Sequence, residues 1–249
     1  MPKINLHFQR FEFKYYLPKN KADKLIPALL NHMNWDPYIK NSPKDHYEVN
    51  SLYFDSPDYG CFFDKEAGLA DRKKLRYRFY NDLEIDNPVF LEIKRKKDAL
   101  VIKDRISLHQ DSCNYLKLND ILKKIKKENK NNYFVNEVIW FKNRNSLKPK
   151  LFVCYKRKAF VGKLDPKLRI TFDYDIKTQL SNDLKLNNKK WHRVYPQGAV
   201  IEVKYNNILP SWFHKIIQRY QLNRIAYSKY CNALRHCLPK FDDNNYAPY

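Results

Sequence analysis

Three glutamates in this chain are each followed, two positions later, by a lysine. The triplets are Glu12-Phe13-Lys14, Glu92-Ile93-Lys94 and Glu202-Val203-Lys204, and each lies in an apolar stretch with a strand-like pattern. A fourth, Glu128-Asn129-Lys130, lies in a polar run without such a pattern. Residues two apart in a strand point to the same face, so each strand triplet sets a carboxylate beside an ammonium group. Carboxylates hold divalent cations and ammonium groups bind phosphate, so these pairs suggest metal-assisted phosphate chemistry.

Further cations follow the same period of two. Arg76 and Arg78 share one face of a predicted strand. Two arginines that project together repel one another by about 1 kcal/mol in water, and by several times more in a partly enclosed site. Inside a fold such a pair therefore implies an anion, and guanidinium groups form bidentate hydrogen bonds to phosphate. Lys103 and Arg105 also share parity, a pattern that equally fits an ordinary exposed edge strand.

The composition limits the classes of function. The formal net charge of +21 indicates an anionic partner: nucleic acid, an anionic membrane or a polyphosphorylated small molecule. With only 4 glycines, the chain has no glycine-rich phosphate loop and no dinucleotide-binding fingerprint. Its 5 cysteines show neither zinc spacing nor an even disulfide framework, which suits a reducing compartment. We find no signal peptide and no apolar run long enough to cross a membrane, so we expect a cytoplasmic protein.

The elements that position these side chains are mostly strands. Alternation of polar and apolar residues predicts strands over residues 8–15, 47–55, 72–80, 89–97, 100–106, 150–157, 168–173 and 200–205. Helical spacing predicts a helix that Asn20 caps and that reaches Met33, a short helix ending near 67, two helices within 111–145, one after Pro210 and a last one near 227–234. Residues 178–192 are predicted to form a loop. We expect one domain over residues 1–238 and a polar C-terminal tail over 239–249.

Because charged residues recur at the same parity on so many strands, we expect their side chains to face one common space. If the strands close into an antiparallel barrel, alternation places these charges in the lumen. A lumen lined by lysine and arginine is unstable unless an anion fills it, because buried like charges raise one another's free energy. A phosphate chain suits such a lumen best. The interspersed glutamates would repel phosphate unless they hold a divalent cation that bridges to phosphate oxygens.

Taken in order, the motifs resemble a known family. They are Arg10-Phe11-Glu12-Phe13-Lys14, Ser51-Leu52-Tyr53-Phe54-Asp55, Leu75-Arg76-Tyr77-Arg78, Glu92-Ile93-Lys94, Tyr155-Lys156-Arg157-Lys158-Ala159-Phe160, Arg169-Ile170-Thr171-Phe172-Asp173, Glu202-Val203-Lys204 and Ser228-Lys229-Tyr230. In this order the chain resembles the VTC domain, the polyphosphate polymerase module within the triphosphate tunnel enzymes. The resemblance implies an α+β fold, an antiparallel β-barrel tunnel with helices packed on the outside. It also implies transfer of the γ-phosphate of ATP to a growing polyphosphate chain with Mn²⁺ or Mg²⁺.

The resemblance also assigns roles to individual residues. The catalytic positions that it implies are Arg76, Arg78, Lys94, Arg169 and Lys204. The implied substrate-binding positions are Lys14, Tyr155, Arg157 and Lys229. Glu202 matches the acidic position associated with the metal, and Glu12 and Glu92 are further candidates for that role.

Two other functions fit the same residues. A related tunnel could use water as the nucleophile and hydrolyse triphosphate or polyphosphate. A non-catalytic polyanion or nucleic-acid binder would need only the basic stretch 115–130 and the net charge of +21. The glutamates count against a simple binder, which has no use for carboxylates on its binding face. We therefore expect ATP and inorganic polyphosphate as partners and no nucleic acid, and the sequence identifies no protein partner.

Overall fold

Strands make up most of the regular structure. The computed structural model describes residues 5–40, 43–82, 87–98, 100–108, 115–128, 132–184, 190–194 and 198–238. The strands are β1 (Asn5–Pro18), β2 (Met33–Trp35), β3 (Tyr47–Asp55), β4 (Asp71–Tyr80), β5 (Val89–Lys97), β6 (Leu100–Leu108), β7 (Lys148–Gly162), β8 (Arg169–Leu180), β9 (His192–Val194) and β10 (Gly198–Tyr205). The helices are α1 (Lys19–Leu30), α2 (Pro37–Lys40), α3 (Gly60–Glu66), α4 (Tyr115–Glu128), α5 (Tyr133–Arg144), α6 (Ser211–Tyr220) and α7 (Lys229–Cys237). The predicted tail 239–249 lies outside the described residues.

The strand pairings close into a ring. Neighbouring strands pair in the order β7-β3-β4-β5-β6-β1-β10-β8, and β8 pairs back onto β7. Each pairing is antiparallel, while β2 and β9 extend the sheet from β7 and β8. Alternating side chains in a closed ring point either to the lumen or to the outside. The predicted α+β fold with an antiparallel barrel is therefore confirmed.

The outward-facing side chains form two apolar cores with helices. On one side Leu75 of β4 and Ile93 of β5 pack with Leu122 of α4 and Val138 of α5, and all four side chains are fully buried. Such burial contributes roughly 1.5–3 kcal/mol for each large aliphatic side chain. These contacts confirm the prediction that helices pack on the outside.

The second outer core covers the opposite wall. Ile201 and Val203 of β10 pack with Leu25 of α1 and Phe213 of α6, and these side chains are fully buried. The intervening residue Glu202 therefore points the other way, into the lumen. Burial of the outer face thus fixes the direction of the charged face.

Helix α7 packs on the inner side of the barrel. Its residues Tyr230, Cys231 and Leu234 pack with Val49 of β3 and Val153 of β7. Val153 shares its strand face with Tyr155 and Arg157, which line the lumen. The helix therefore brings its N-terminal residues up to the charged part of the lumen, a placement that its own sequence pattern did not indicate.

The predicted elements differ from the observed ones mainly at their ends. Helix α1 has Pro18 at its N-cap, so Asn20 lies within the helix and the predicted cap is wrong. Met33 belongs to β2, which pairs with the end of β7. The predicted loop 178–192 begins inside β8 and ends in β9. Asp175, at a φ of 49°, lies where the β7–β8 register shifts, and β8 continues beyond it. These pairings depend on distant strands, which a local pattern does not reveal.

Candidate functional site

The lumen holds the predicted site residues. Its cavity has a volume of about 1460 Å³. The predicted residues that line it are Glu12, Lys14, Arg76, Arg78, Lys94, Tyr155, Arg157, Arg169, Glu202, Lys204 and Lys229. Glu92 is absent from the lining because it is fully buried beneath Arg76 and Lys103. The strands thus bring residues from all parts of the sequence into one enclosed space.

Glu202 lies at the centre of one charge cluster. Its carboxylate oxygens lie 2.6 Å from Lys229 Nζ and 3.0 Å from Lys204 Nζ. Lys14 Nζ and Arg157 Nη2 each approach to 3.7 Å. Burial alone would raise the pKa of Glu202, but the four cations outweigh burial and hold it well below the usual range. Glu202 is therefore charged at neutral pH.

Asp173 is a second carboxylate in this cluster. It accepts hydrogen bonds from Arg157 Nε at 2.6 Å and from Arg157 Nη2 at 2.8 Å. Lys229 Nζ lies 2.6 Å from the same carboxylate. Lys229 is placed there because the Ser228 hydroxyl caps α7, accepting from the backbone N–H of Cys231 at 3.3 Å. Burial lowers the pKa of Lys229, but Asp173 and Glu202 raise it above the usual lysine value, so its ammonium group stays charged.

Glu92 is the centre of a second cluster. Arg76 donates from Nε at 2.9 Å and from Nη2 at 2.7 Å to one carboxylate oxygen, and Lys103 donates to the other at 3.0 Å. Arg78 and Arg105 each approach to 3.9 Å. Burial alone would raise the pKa of Glu92, but the surrounding cations outweigh burial and hold it well below the usual range. Glu92 lies beneath the guanidinium groups of Arg76 and Arg78 and therefore helps to hold both in place.

The Tyr155 hydroxyl connects the two clusters. It accepts a hydrogen bond from Arg78 Nη2 at 3.2 Å and another from Arg157 Nη2 at 3.2 Å. Lys229 Nζ also lies 4.9 Å from the centre of the Tyr155 ring. A hydroxyl that accepts from two guanidinium groups can still donate its own proton to a phosphate oxygen. Tyr155 is thus positioned to contact an anion that spans both clusters.

Two predicted lysines border the Glu202 cluster. Lys94 Nζ donates to Glu12 at 2.7 Å, and Lys14 Nζ donates to the backbone carbonyl of Tyr227 at 2.6 Å. Burial is the main reason that the pKa of Lys14 falls to about 8, since Glu202 only partly offsets it. Lys14 therefore changes its charge close to neutral pH and responds to any anion that enters the lumen.

Arg169 lies at an opening of the cavity. It lies opposite Lys204 in the register of β8 and β10, but its guanidinium donates to the carboxylate of Asp36. About 40% of its side chain is exposed, against 7% for Arg78. The structure thus separates Arg169 from the enclosed arginines with which the sequence grouped it.

The carboxylates can be tested for their fit to a divalent cation. Among the described residues, no group of three or more acidic, histidine or cysteine side chains is arranged so that it could hold a metal ion by itself. Glu12 and Glu202 lie on the paired strands β1 and β10. Burial and the nearby Glu202 charge act to raise the pKa of Glu12, but the surrounding lysines outweigh both and hold it well below the usual range. The Thr171 hydroxyl, across from Glu202 on β8, is buried and has no hydrogen-bond partner in the described part of the chain. This donor set fits a cation that also binds phosphate oxygens, as Mg²⁺ commonly does.

Several lumen residues were missed by the prediction. Lys103 and Arg105 share parity and both lie in the lumen, although the pattern also fitted an exposed edge. Asp173 ends the motif Arg169-Ile170-Thr171-Phe172-Asp173, in which only Arg169 is predicted as a site residue. The Tyr53 hydroxyl accepts from Arg76 Nη1 at 2.9 Å; burial raises its pKa, but Arg76 and Arg78 outweigh burial and lower it to about 8. Strand parity was the signal that could have found these residues.

The barrel surrounds a lumen in which cations outnumber carboxylates, an environment that suits a polyanion. The family model described as the VTC domain matches residues 9–238, and the chain belongs to this family. Family membership makes it a tunnel protein of the polyphosphate- and triphosphate-related class. No curated protein sequence matches the chain. In the part of the chain that the structure describes, no helix is both long and apolar enough to cross a bilayer.

Three solved structures are similar at low sequence identity. A proposed adenylate cyclase of Bacillus halodurans is 13% identical, with 89% of this chain and 95% of that chain covered and a TM-score of 0.49. A protein of Pyrococcus horikoshii is 15% identical, with coverage of 91% and 98% and a TM-score of 0.47. A proposed adenylyl cyclase of Hippeastrum, described as having a dominant triphosphatase activity, is 16% identical, with coverage of 94% and 99% and a TM-score of 0.45.

Proposed function

We propose that the protein is a polyphosphate polymerase that transfers the γ-phosphate of ATP to an inorganic polyphosphate chain inside the lumen. The observation that carries this proposal is the pair of buried charge clusters that Tyr155 connects. Each cluster holds four cations, so an anion with several phosphates can be neutralised along its length. VTC family membership supports the same substrate class.

The reaction needs no covalent intermediate on the protein. A terminal oxygen of the polyphosphate chain attacks the γ-phosphorus of ATP, and the bond from that phosphorus to the β–γ bridging oxygen breaks. ADP leaves with this oxygen, and the chain is one phosphate longer. Positioning of the reacting groups and neutralisation of their charge supply most of the acceleration in such transfers.

The residues divide this work according to their chemistry. Arg76 and Arg78 present planar guanidinium groups that fix the orientation of phosphate oxygens, with Arg76 held by Glu92. Lys14, Lys94, Lys204 and Lys229 act as point charges that neutralise the chain as it moves. Arg157 and Tyr155 complete the contact surface between the clusters. Arg169 would contact substrate at the opening.

A divalent cation, Mn²⁺ or Mg²⁺, would neutralise charge on the phosphates when bound. Glu202 is the residue best placed to hold it, with Glu12 on the adjacent strand and the Thr171 hydroxyl nearby. Glu92 is the least suitable of the predicted metal residues because it is fully buried and does not line the cavity.

A product assay tests the proposal. Purified protein is incubated with ATP and Mn²⁺, and ADP, inorganic phosphate and polyphosphate are measured together. We expect one phosphate unit to enter polyphosphate for each ADP released, with little free inorganic phosphate. Release of inorganic phosphate without polymer would establish a hydrolase instead. Release of neither product, with polyanions still bound, would leave only a binding module.

A further inference from the structure

The two ends of the lumen differ in chemistry. The inward face of β4 runs from Arg72 at one end to Tyr80 at the other, and both line the cavity. Eight residues at about 3.3 Å each separate them by roughly 26 Å along the strand. On the paired strand β5, Lys96 lies opposite Arg72 and Phe90 lies opposite Arg78. Along these two strands the inward residues thus change from cations at one end to aromatic rings at the other.

The charged side chains at the cationic end interact electrostatically with one another. Burial lowers the pKa of Lys96, and the nearby charges of Arg72, Arg224 and Lys94 lower it further, with Asp98 opposing them. All of these side chains line the cavity. Such an end attracts phosphate, and the Phe13 ring beside it is covered by the Arg224 guanidinium, whose carbon lies 3.9 Å from the ring centre.

The aromatic end contains rings in edge-to-face contact. The centre of the Tyr80 ring lies 5.8 Å from that of Tyr47 and 6.1 Å from that of Phe90, both at steep angles. Arg105 places its guanidinium carbon 4.3 Å from the centre of the Phe90 ring. Tyr38 lines the same cavity and is 83% exposed. Phosphate gains nothing from these rings, whereas every nucleobase has a flat face that stacks on them.

We propose that Tyr47, Tyr80 and Phe90 form a nucleobase subsite for the nucleoside triphosphate. Tyr80, Arg78 and Arg76 follow one another on the inward face of β4, so the base would lie at the opening and the phosphates deeper in the lumen. Asn81 and Asn87 line the same cavity. Asn81 Oδ1 accepts from the Glu48 backbone N–H and Asn87 Nδ2 donates to the Asp82 carbonyl, so Asn81 Nδ2 and Asn87 Oδ1 are the atoms that would bind the polar edge of a base. This inference rests on the proposed function and adds the recognition of the nucleoside to it.

Binding of two ligands that differ in the nucleoside tests the inference. We would titrate a non-hydrolysable ATP analogue and inorganic tripolyphosphate into wild type, Tyr80→Leu and Tyr80→Phe. Loss of one stacking ring should weaken binding of the ATP analogue about tenfold. Tripolyphosphate affinity should change less than about twofold, and Tyr80→Phe should bind both ligands like wild type. Tyr133→Leu removes a ring that is 88% exposed on α5 and serves as the matched control.

The outcomes separate this inference from the proposed function. Equal weakening of both ligands, or no weakening of the ATP analogue, would overturn the subsite. If Tyr80→Leu fails to fold, Phe90→Leu gives the same comparison. Selective weakening in a protein whose wild type releases no ADP would support the subsite and refute the polymerase. Failure of wild type to bind either ligand would refute both.

Discussion

The two glutamate clusters in the lumen have the same plan but different partners. Glu202 faces three ammonium groups and one guanidinium, and Glu92 faces three guanidinium groups and one ammonium. Glu202 is 7% exposed and lines the cavity, whereas Glu92 is 0% exposed and does not. Asp173 adds a second carboxylate to the Glu202 cluster.

The difference in partners gives the two clusters different roles: the Glu92 cluster is a rigid support, and the Glu202 cluster is the surface that meets the substrate. Arg76 donates two hydrogen bonds to one oxygen of Glu92, and a planar guanidinium held in this way keeps a fixed geometry. Ammonium groups are point charges on flexible stems, so the lysines around Glu202 can move toward an incoming anion and release the carboxylate. We infer that the Glu92 cluster orients phosphate and that the Glu202 cluster exchanges partners with substrate and metal.

Removing the buried charge of Glu92 should have the largest effect. Glu92→Gln leaves the largely buried Arg76 and Lys103 without the carboxylate that pairs with them. We expect the free energy of unfolding to fall by about 3 kcal/mol, measured by denaturant titration. Glu202→Gln should cost less, because Asp173 still pairs with Lys229 and Arg157. Equal destabilisation by both variants would contradict the distinction between the clusters.

Changing the shape of the arginines at constant charge should affect turnover next. Arg76→Lys and Arg78→Lys keep the positive charge but lose the planar contact with phosphate. We expect ADP release to fall about 100-fold while tripolyphosphate affinity changes by no more than about threefold. Arg219→Lys, on the exposed side of α6, is the matched control. Parallel losses of turnover and affinity would indicate simple charge binding.

Parity of strand residues was the most informative feature of the sequence. Outer residues such as Ile201 and Val203 fixed the direction in which Glu202 points, so the lumen side of most strands was predictable. Exposure was not predictable, because it depends on how far each strand tilts and on what lies behind it. Arg169 at an opening and Glu92 beneath other side chains therefore differ from their sequence neighbours. The inner position of α7 depends on closure of the whole ring.

Ligand binding should also change the protonation of buried lysines. Burial lowers the pKa of Lys103 to about 7, in spite of Glu92, and that of Lys14 to about 8. At pH 8 both are partly neutral, and a bound anion favours the charged form. The protein should therefore take up roughly one proton when tripolyphosphate binds at pH 8, and the affinity should fall as the pH rises from 6 to 9. Calorimetry in buffers of different ionisation enthalpy measures this uptake, and proton release on binding would contradict the assignment.

Removal of the hydroxyl that connects the clusters should have the smallest effect. Tyr155→Phe keeps the ring beside Lys229 but removes the oxygen that accepts from Arg78 and Arg157. We expect about a fivefold loss of turnover, of the order that one hydrogen bond contributes. Steady-state ADP release measures it. A loss as large as that of Arg76→Lys would mean that Tyr155 orients the reacting phosphates directly.

A Mn²⁺ titration of wild type, Glu202→Gln and Glu92→Gln tests the roles of the two clusters most directly. ADP release from ATP would be followed at a temperature at which all three proteins are folded, with tripolyphosphate binding measured alongside. We predict that Glu202→Gln loses metal-dependent turnover but still binds tripolyphosphate, because the removed charge repels phosphate. Glu92→Gln should keep the Mn²⁺ midpoint of wild type. Unchanged turnover of Glu202→Gln across the titration, or a shifted midpoint in Glu92→Gln alone, would contradict the account.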